Sequence, residues 1–241
     1  MIADCDPTAG VADLPASSVT GPDSMNSALY FPWVMAPDPL DKFCPRAFPP
    51  SGFVVGIYAR TDASRGVWVS PAGTLANIAG AVALPVTLDD AQAGQLTSRG
   101  VNSIRAFESL GIVVWGARTL AGDDSQPSEW KYIAVRRLTL FIERSIFRGT
   151  RLAAFEPNAE PLWVKLRASI TTFMQGLFAQ GALQGATPRD AYLVRCDATT
   201  TTQADIDAGV VNIEVGFAPL RPAEFIVLTI RQLAQNPDPD P

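Results

Sequence analysis

The chain has 241 residues, of which 47% are hydrophobic and 18% are charged, so it can bury a sizeable core. Its net charge of −5 argues against a protein that binds nucleic acid through basic contacts to phosphates. It contains no histidine, which excludes histidine-based catalytic triads, HExxH metal sites and histidine acid–base catalysis. We therefore expect no catalytic residue, no metal ion and no cofactor.

The beginning of the chain, residues 1–25, is acidic and rich in proline, glycine and serine, and we expect it to be a mobile lead-in. It lacks the basic and apolar regions of a signal peptide, and no apolar run approaches the length of a membrane span. The cysteines, Cys5, Cys44 and Cys196, are odd in number and widely spaced, which favours free thiols and a reducing compartment. We expect a soluble protein that is made in the cytoplasm.

The first half of the chain is predicted to alternate strands and helices. Strands are predicted at 26–35, 101–107 and 111–117, helices at 51–63 and 87–98, and a proline-dense connector at 36–50. Thr87, with an acidic residue three positions later, indicates the N-cap of the second helix, and Gly100 indicates its end.

The second half follows a polar, turn-rich run at 121–128, which we interpret as a domain boundary. Helices are predicted at 130–147 and 160–180, and strands at 151–155, 192–196, 210–217 and 223–233. The predicted divisions are the lead-in, a first domain at 26–120, a C-terminal domain at 121–235 and a frayed tail at 236–241. The predicted fold class is α/β (mixed α+β), with mixed sheets packed by long helices and a terminal strand available for pairing between subunits.

The predicted helix at 130–147 has apolar residues on two sides. One stripe consists of Val135, Leu138, Ile142 and Ile146, and the other of Ile133, Leu140 and Phe147. Both sides need cover, by the chain's own sheet and by something else. Arg137, Arg144 and Arg148 lie between the stripes of this acidic chain. They form either a solvated, salt-bridged face or a strip that docks an acidic protein surface.

The last two predicted strands differ in pattern. In 210–217, Val211, Ile213 and Val215 share one face, as in a half-buried strand. In 223–233 both faces are apolar, and the residues concerned are Phe225, Ile226, Val227, Leu228, Thr229 and Ile230. Such a segment is either a central strand of its own sheet or an arm that is donated to a neighbouring subunit. As a free edge it would aggregate.

Several blocks of the sequence together resemble the C-terminal portion of the contractile tail sheath proteins of phages and phage-tail-like injection particles. They include PPSGFVVGIYARTDASRGVW at 49–68, EWKYIAVRRL at 129–138, FEPNAEPLW at 155–163, GALQGATPRDAYLVRCD at 181–197 and ADIDAGVVNIEVGFAPLRPAEFIVLTI at 204–230. The resemblance runs from about residue 26 to about residue 233, with the blocks in the family's order.

This resemblance implies a non-enzymatic structural subunit, assembled in the bacterial cytoplasm, that polymerises around an inner tube and contracts to drive it through a target envelope. The implied partners are other copies in six-membered stacked rings, the inner tail-tube protein, and the baseplate and terminator proteins, with no nucleic acid and no membrane insertion. The inter-subunit strand candidates are residues 225–230 with Val211, Ile213 and Val215. The tube-facing candidates are Arg137, Arg144 and Arg148.

Two other functions remain open at this point. A sheath-terminating cap or adaptor could share the same C-terminal domain, but it would not form long tubes. An acid-pair hydrolase would need two carboxylates that converge in a cleft with shifted pKa values. Arg118, just after the strand predicted at 111–117, is interpreted as a fixed surface or interface arginine rather than a phosphate clamp.

Overall fold

The first part of the chain folds around a four-stranded mixed sheet. The computed structural model of the chain describes residues 1–14 and 21–224. The strands are β1 (Ile2–Asp4), β2 (Ala28–Phe31), β5 (Val101–Phe107) and β6 (Gly111–Trp115), in the order β1-β2-β5-β6. The first two pairs are parallel, and β5 and β6 form an antiparallel hairpin, which places β2 and β5 at the centre of the sheet.

Helix α1 (Ser51–Arg65) covers one face of this sheet. Its buried residues Val54 and Ile57 lie in one cluster with Tyr30, Ile104 and Val114 from the sheet. The helix begins directly after two prolines, and its first backbone N–H, that of Ser51, donates to Asp4 Oδ1 at 2.9 Å. An acidic group is favourable there because the helix dipole is positive at its N-terminus. The helix predicted at 51–63 is therefore confirmed.

The N-terminal segment is docked, so the prediction that residues 1–25 form a mobile lead-in is wrong for the part that the structure describes. Ile2 is paired with Ala28 in the sheet, and Cys5 and Leu14 are buried. Cys5 and Leu14 contribute to a cluster with the buried residues Leu29, Phe31, Leu88, Leu96 and Val101. The few apolar side chains of this acidic segment thus complete a second apolar layer of the sheet, which offsets the entropy of ordering it.

The connector predicted at 36–50 contains a short hairpin of β3 (Val34–Pro37) and β4 (Pro45–Phe48). Helix α2 (Asp90–Ser98) begins later than predicted, because Asp89 rather than Thr87 is its N-cap. The Asp89 carboxylate accepts from the Gln92 N–H at 2.7 Å, and the Gln92 side chain accepts from the Asp89 N–H in return. The strands predicted at 101–107 and 111–117 are confirmed as β5 and β6, with the second ending two residues earlier.

The two long helices predicted in the second half are confirmed as α3 (Ile133–Thr150) and α4 (Glu160–Ala179). A 3₁₀ turn (Arg151–Ala153) stands where a strand was predicted at 151–155. Helix α3 joins two cores, since Ile133 belongs to the cluster of the sheet and α1, whereas Leu138 and Ile142 pack with α4. The apolar stripe of α4 is buried over Leu162, Leu166, Ile170, Met174 and Leu177.

A third sheet, which is two-stranded and antiparallel, packs on the α3–α4 core. The remaining elements are α5 (Pro188–Ala191), β7 (Tyr192–Arg195), α6 (Gln203–Asp207) and β8 (Glu214–Phe217). The mixed α/β fold class is therefore confirmed for the described residues, while the strand predicted at 223–233 lies almost wholly outside them. The predicted domain boundary near 121–128 stays a prediction. None of the described helices is both long enough and apolar enough to cross a membrane.

Candidate assembly surfaces

The described residues contain no group of three or more acidic or cysteine side chains that could hold a metal ion. Two pairs of aspartates that are close in sequence, Asp89/Asp90 and Asp205/Asp207, lie instead at the ends of short helices. Asp89 caps α2, and Asp205 accepts hydrogen bonds from the Thr202 side chain and backbone, which lower its pKa. A general acid needs the opposite shift, a raised carboxyl pKa. Asp6, Asp124 and Asp197 also have lowered pKa values, held down by hydrogen bonds.

Helix α3 presents an exposed surface that is both apolar and basic. Phe147 is 68% exposed and Leu140 is 37% exposed, so the second apolar stripe is left uncovered beyond Ile133. Arg144 and Arg148 are exposed on the same helix and line a shallow cleft of about 370 Å³ with Leu140. We call Leu140, Phe147, Arg144 and Arg148 the α3 strip. Exposed aromatic and apolar groups flanked by arginine are typical of protein interfaces.

Arg137 lines the same cleft as Arg144 and Arg148, as predicted, but its side chain is only 25% exposed and its charge is already paired within the chain. Its guanidinium forms a bidentate ion pair with Asp62 of α1, at 2.8 and 2.5 Å, and lies 4.7 Å from the centre of the Tyr58 ring. The Tyr58 hydroxyl is 2.8 Å from that of Tyr30, and burial raises the pKa of Tyr58 to about 12. Arg137 therefore ties α3 to α1 and β2 within the chain.

The sheet of β7 and β8 offers backbone edges for strand pairing. One of its faces, including Tyr192, Val194, Val215 and Phe217, packs against the α3–α4 core. Within the described part of the chain, neither strand pairs with a third strand. Each outer edge therefore carries backbone groups that an added strand could bond.

Only one of the three residues predicted to form a strand at this position lies in it. Val215 is in β8, whereas Val211 and Ile213 precede the strand and pack around Cys196 and Trp163. The prediction of a strand over 210–217 was therefore wrong for its first half. The reason is that Asn212 bonds threonine side chains: its N–H donates to Thr201, and its carbonyl accepts from Thr200 at 3.1 Å.

The last described residues are held by a buried arginine. Arg118 is 1% exposed, and its Nε and Nη2 donate to Glu224 Oε1 and Oε2 at 2.8 and 2.7 Å. Its Nη1 lies 2.9 Å from Asp124 Oδ1 and also contacts two backbone carbonyls, of Thr97 and Gly122. Arg118 was interpreted as a fixed surface or interface arginine; it is fixed, but it is buried within the described chain rather than at a surface. We call the contact between Arg118 and Glu224 the arm-root clamp.

Electrostatics favour the charged form of Arg118 in the arm-root clamp. Burial alone would lower the pKa of Arg118, but the hydrogen bonds and charges of Glu224 and Asp124 outweigh it and raise the pKa. The Lys131 ammonium, 2.7 Å from Asp124, is the main cause of the lowered pKa of that carboxyl. Sequence spacing could not reveal the clamp, because its two main partners are 106 residues apart.

The chain is similar to known proteins along most of its length. Residues 125–232 match the family model described as the phage tail sheath C-terminal domain. The tail sheath protein of Enterobacteria phage T4 is 28% identical over 196 residues, which are 81% of this chain and 28% of that protein. This chain thus spans little more than a quarter of the T4 protein.

Two solved sheath structures also match most of this chain. The helical sheath of the anti-feeding prophage in its contracted state matches with 36% identity and a TM-score of 0.82, covering 96% of this chain and 61% of that one. The contracted sheath complex of the extracellular contractile injection system PVC matches with 37% identity and a TM-score of 0.78, covering 90% of this chain and 62% of that one. The chain is therefore similar to the tail sheath proteins of contractile particles, and its residues 125–232 match the model of their C-terminal domain.

Proposed function

We propose that the chain is a structural, non-enzymatic subunit of a contractile tail sheath, which polymerises around an inner tube and shortens to drive that tube through a target envelope. The observation that carries this proposal is the likeness to two sheaths solved in the contracted state, at 36% and 37% identity over nine-tenths or more of this chain. The proposed setting is a phage tail or a phage-tail-like particle that is assembled in the bacterial cytoplasm.

The proposed joints between subunits are strand pairings. Residues 225–230, which are apolar on both faces, would leave one subunit as an arm and add to a β7–β8 sheet of a neighbour. The open edges of that sheet in the described residues support this proposal. Backbone hydrogen bonds would hold the subunits together while each subunit rotates during contraction. The free energy released on contraction would then come from the repacking of the other interfaces between subunits.

The proposed surface for the inner tube is the α3 strip, with Arg144 and Arg148 as its basic residues. Its uncovered apolar residues need a partner, and its two exposed guanidinium groups favour an acidic one. Arg137 is left out of this proposal because its charge is already paired with Asp62 inside the chain. Copies in six-membered stacked rings, and contacts with baseplate and terminator proteins, belong to the same proposal.

The experiment is negative-stain microscopy of the purified full chain, alone and expressed together with its tube protein. We expect long hollow tubes, at least when the tube protein is present. Short rings that never lengthen would favour the cap or adaptor instead. Monomers that do not associate at any concentration or with the tube protein would contradict the proposal.

A further inference from the structure

We infer that Arg118 is a positioning residue for assembly: through Glu224 it fixes the point at which the C-terminal arm leaves the body of the subunit. The inference rests on the proposed function, because it assumes that the residues after Glu224 pair with a neighbour. Its direct evidence lies in the described residues, where the carboxylate of Glu224 accepts hydrogen bonds from Nε and Nη2 of the buried Arg118 guanidinium.

The hydrogen-bond balance of Arg118 makes Glu224 hard to release. Thr97, Gly122 and Asp124 surround Nη1, so Glu224 is the partner that satisfies Nε and Nη2 in the described structure. The side chain of Arg118 is 1% exposed, so water could not readily replace the lost carboxylate. Leaving donors of a buried charged group without a partner is costly.

The charge balance leads to the same conclusion. Asp124 lies between two cations, 2.9 Å from Arg118 Nη1 and 2.7 Å from Lys131 Nζ. Glu224 supplies the second negative charge, so two carboxylates neutralise two cations only while the arm root is in place. The Tyr132 hydroxyl adds a weaker contact to Glu224 at 3.4 Å.

The connector that leads to Glu224 is held at both ends. Its first residue, Ala218, donates its N–H to the carbonyl of Ala191 at 2.9 Å, next to the β7–β8 sheet. Its last residue, Glu224, is bonded to Arg118, which follows β6 of the other sheet. Pro219 and Pro222 lie between these two anchors and limit backbone freedom. Any swing of the arm therefore begins after Glu224.

Arg118 also connects Glu224 to the main sheet, so it can transmit a force on the arm to that sheet. Its own N–H donates to Asn102 Oδ1 at 2.7 Å, and its carbonyl accepts from Asn102 Nδ2 at 2.8 Å. Asn102 lies in the central strand β5 and is 1% exposed. A force on the joint between subunits would therefore reach a central strand of the main sheet through the side chains of Glu224, Arg118 and Asn102.

A glutamate-specific endoprotease tests the clamp on the full chain. Cleavage after Glu224 needs its carboxylate, which Arg118 holds, whereas Glu108 is exposed and serves as an internal reference. In Arg118→Met we expect cleavage after Glu224, relative to Glu108, to rise about tenfold or more, as the loss of charged hydrogen bonds implies. The control is Arg136→Met, which removes a half-buried arginine that donates to Asn26 Oδ1 at 2.8 Å and does not line the cavity beside Glu224, so it should leave the ratio unchanged.

The same variants are then compared in tube formation. We expect Arg118→Met to raise the protein concentration needed for tubes about tenfold, with Arg136→Met close to the unaltered chain. Unchanged cleavage would overturn the clamp. Faster cleavage with unchanged assembly would overturn the positioning role and leave the proposed function standing. If instead removal of residues 225–241 leaves tube formation intact, the proposed arm itself fails.

A second variant keeps the inference testable if Arg118→Met does not fold. Glu224→Gln has nearly the same shape and leaves Arg118 in place, but it removes the negative charge and replaces one of the two accepting oxygens by an NH2 group that cannot accept. We expect amide hydrogen exchange at Arg118 and Gly122, whose N–H groups are bonded to Asn102 Oδ1 and to the Thr119 carbonyl, to become about tenfold faster, with no change over 192–195. Equal exchange in both chains would contradict the clamp.

Discussion

At the scale of single residues, three arginines of similar sequence character have three different environments. Arg118 is buried and bonded to two carboxylates, Arg137 is paired with Asp62 between two helices, and Arg144 is exposed. A basic residue beside apolar ones gives the same local pattern in each case. What separates them is the acidic partner, which lies 106 residues from Arg118 and 75 residues from Arg137. Local patterns cannot reveal such partners.

The first prediction concerns Arg137. Arg137→Met keeps the aliphatic stem but removes the ion pair with Asp62, and we expect it to lower the free energy of unfolding by about 2 kcal/mol. Arg144→Met on the exposed face of the same helix should stay within about 0.5 kcal/mol. Urea unfolding followed by circular dichroism measures both. Equal losses in the two variants would show that the pair with Asp62 adds nothing to stability.

The second prediction concerns the docked N-terminal segment. Burial raises the pKa of the Cys5 thiol to about 11, so at pH 8 its thiolate fraction is about a hundredfold below that of a thiol at the ordinary value of 9.0. Cys44 is exposed. With a thiol-reactive disulfide reagent at pH 8, we expect Cys44 to react first, and Cys5 and Cys196 only after urea is added. Rapid labelling of Cys5 in the folded chain would contradict the docking of β1.

At the scale of elements, the long helices could be predicted because their apolar periodicity is sustained over 18 and 20 residues. Short elements were less predictable, since local hydrogen bonds decided them. Asp89 rather than Thr87 caps α2, and threonine side chains take the backbone bonds of Asn212 before β8. The strand β1 was missed because three residues give too short a pattern, and its pairing with β2 is set by tertiary contacts.

The third prediction concerns the α3 strip as an element. Reversing charge in Arg144→Glu/Arg148→Glu should weaken attachment to an acidic inner tube roughly tenfold at low salt, and less at high salt because exposed charges are screened. Lys42→Glu/Arg189→Glu makes the same change in net charge at two exposed positions outside the strip. Co-sedimentation of subunit and tube over a salt series measures the effect. Identical curves for both double variants would mean that the strip is only a solvated face.

At the scale of the whole molecule, α3 links two cores: the sheet with α1, and α4 with the β7–β8 sheet. Arg137 and the arm-root clamp add two polar ties between residues far apart in sequence. A subunit whose parts are linked in this way can rotate as a rigid unit while its strand pairings with neighbouring subunits persist. The proposed contraction without disassembly would require such a rotation. The overall class could be predicted from the sequence, whereas these ties could not.

In the proposed assembly, the segment after Glu224 joins separate copies of the chain into one lattice. The most direct measurement is negative-stain microscopy of a chain that lacks residues 225–241, beside a control that lacks only residues 236–241. We expect tubes from the control and from the full chain, and folded but unassembled subunits or aggregates from the longer truncation. Tubes of normal length from the chain without residues 225–241 would contradict this expectation.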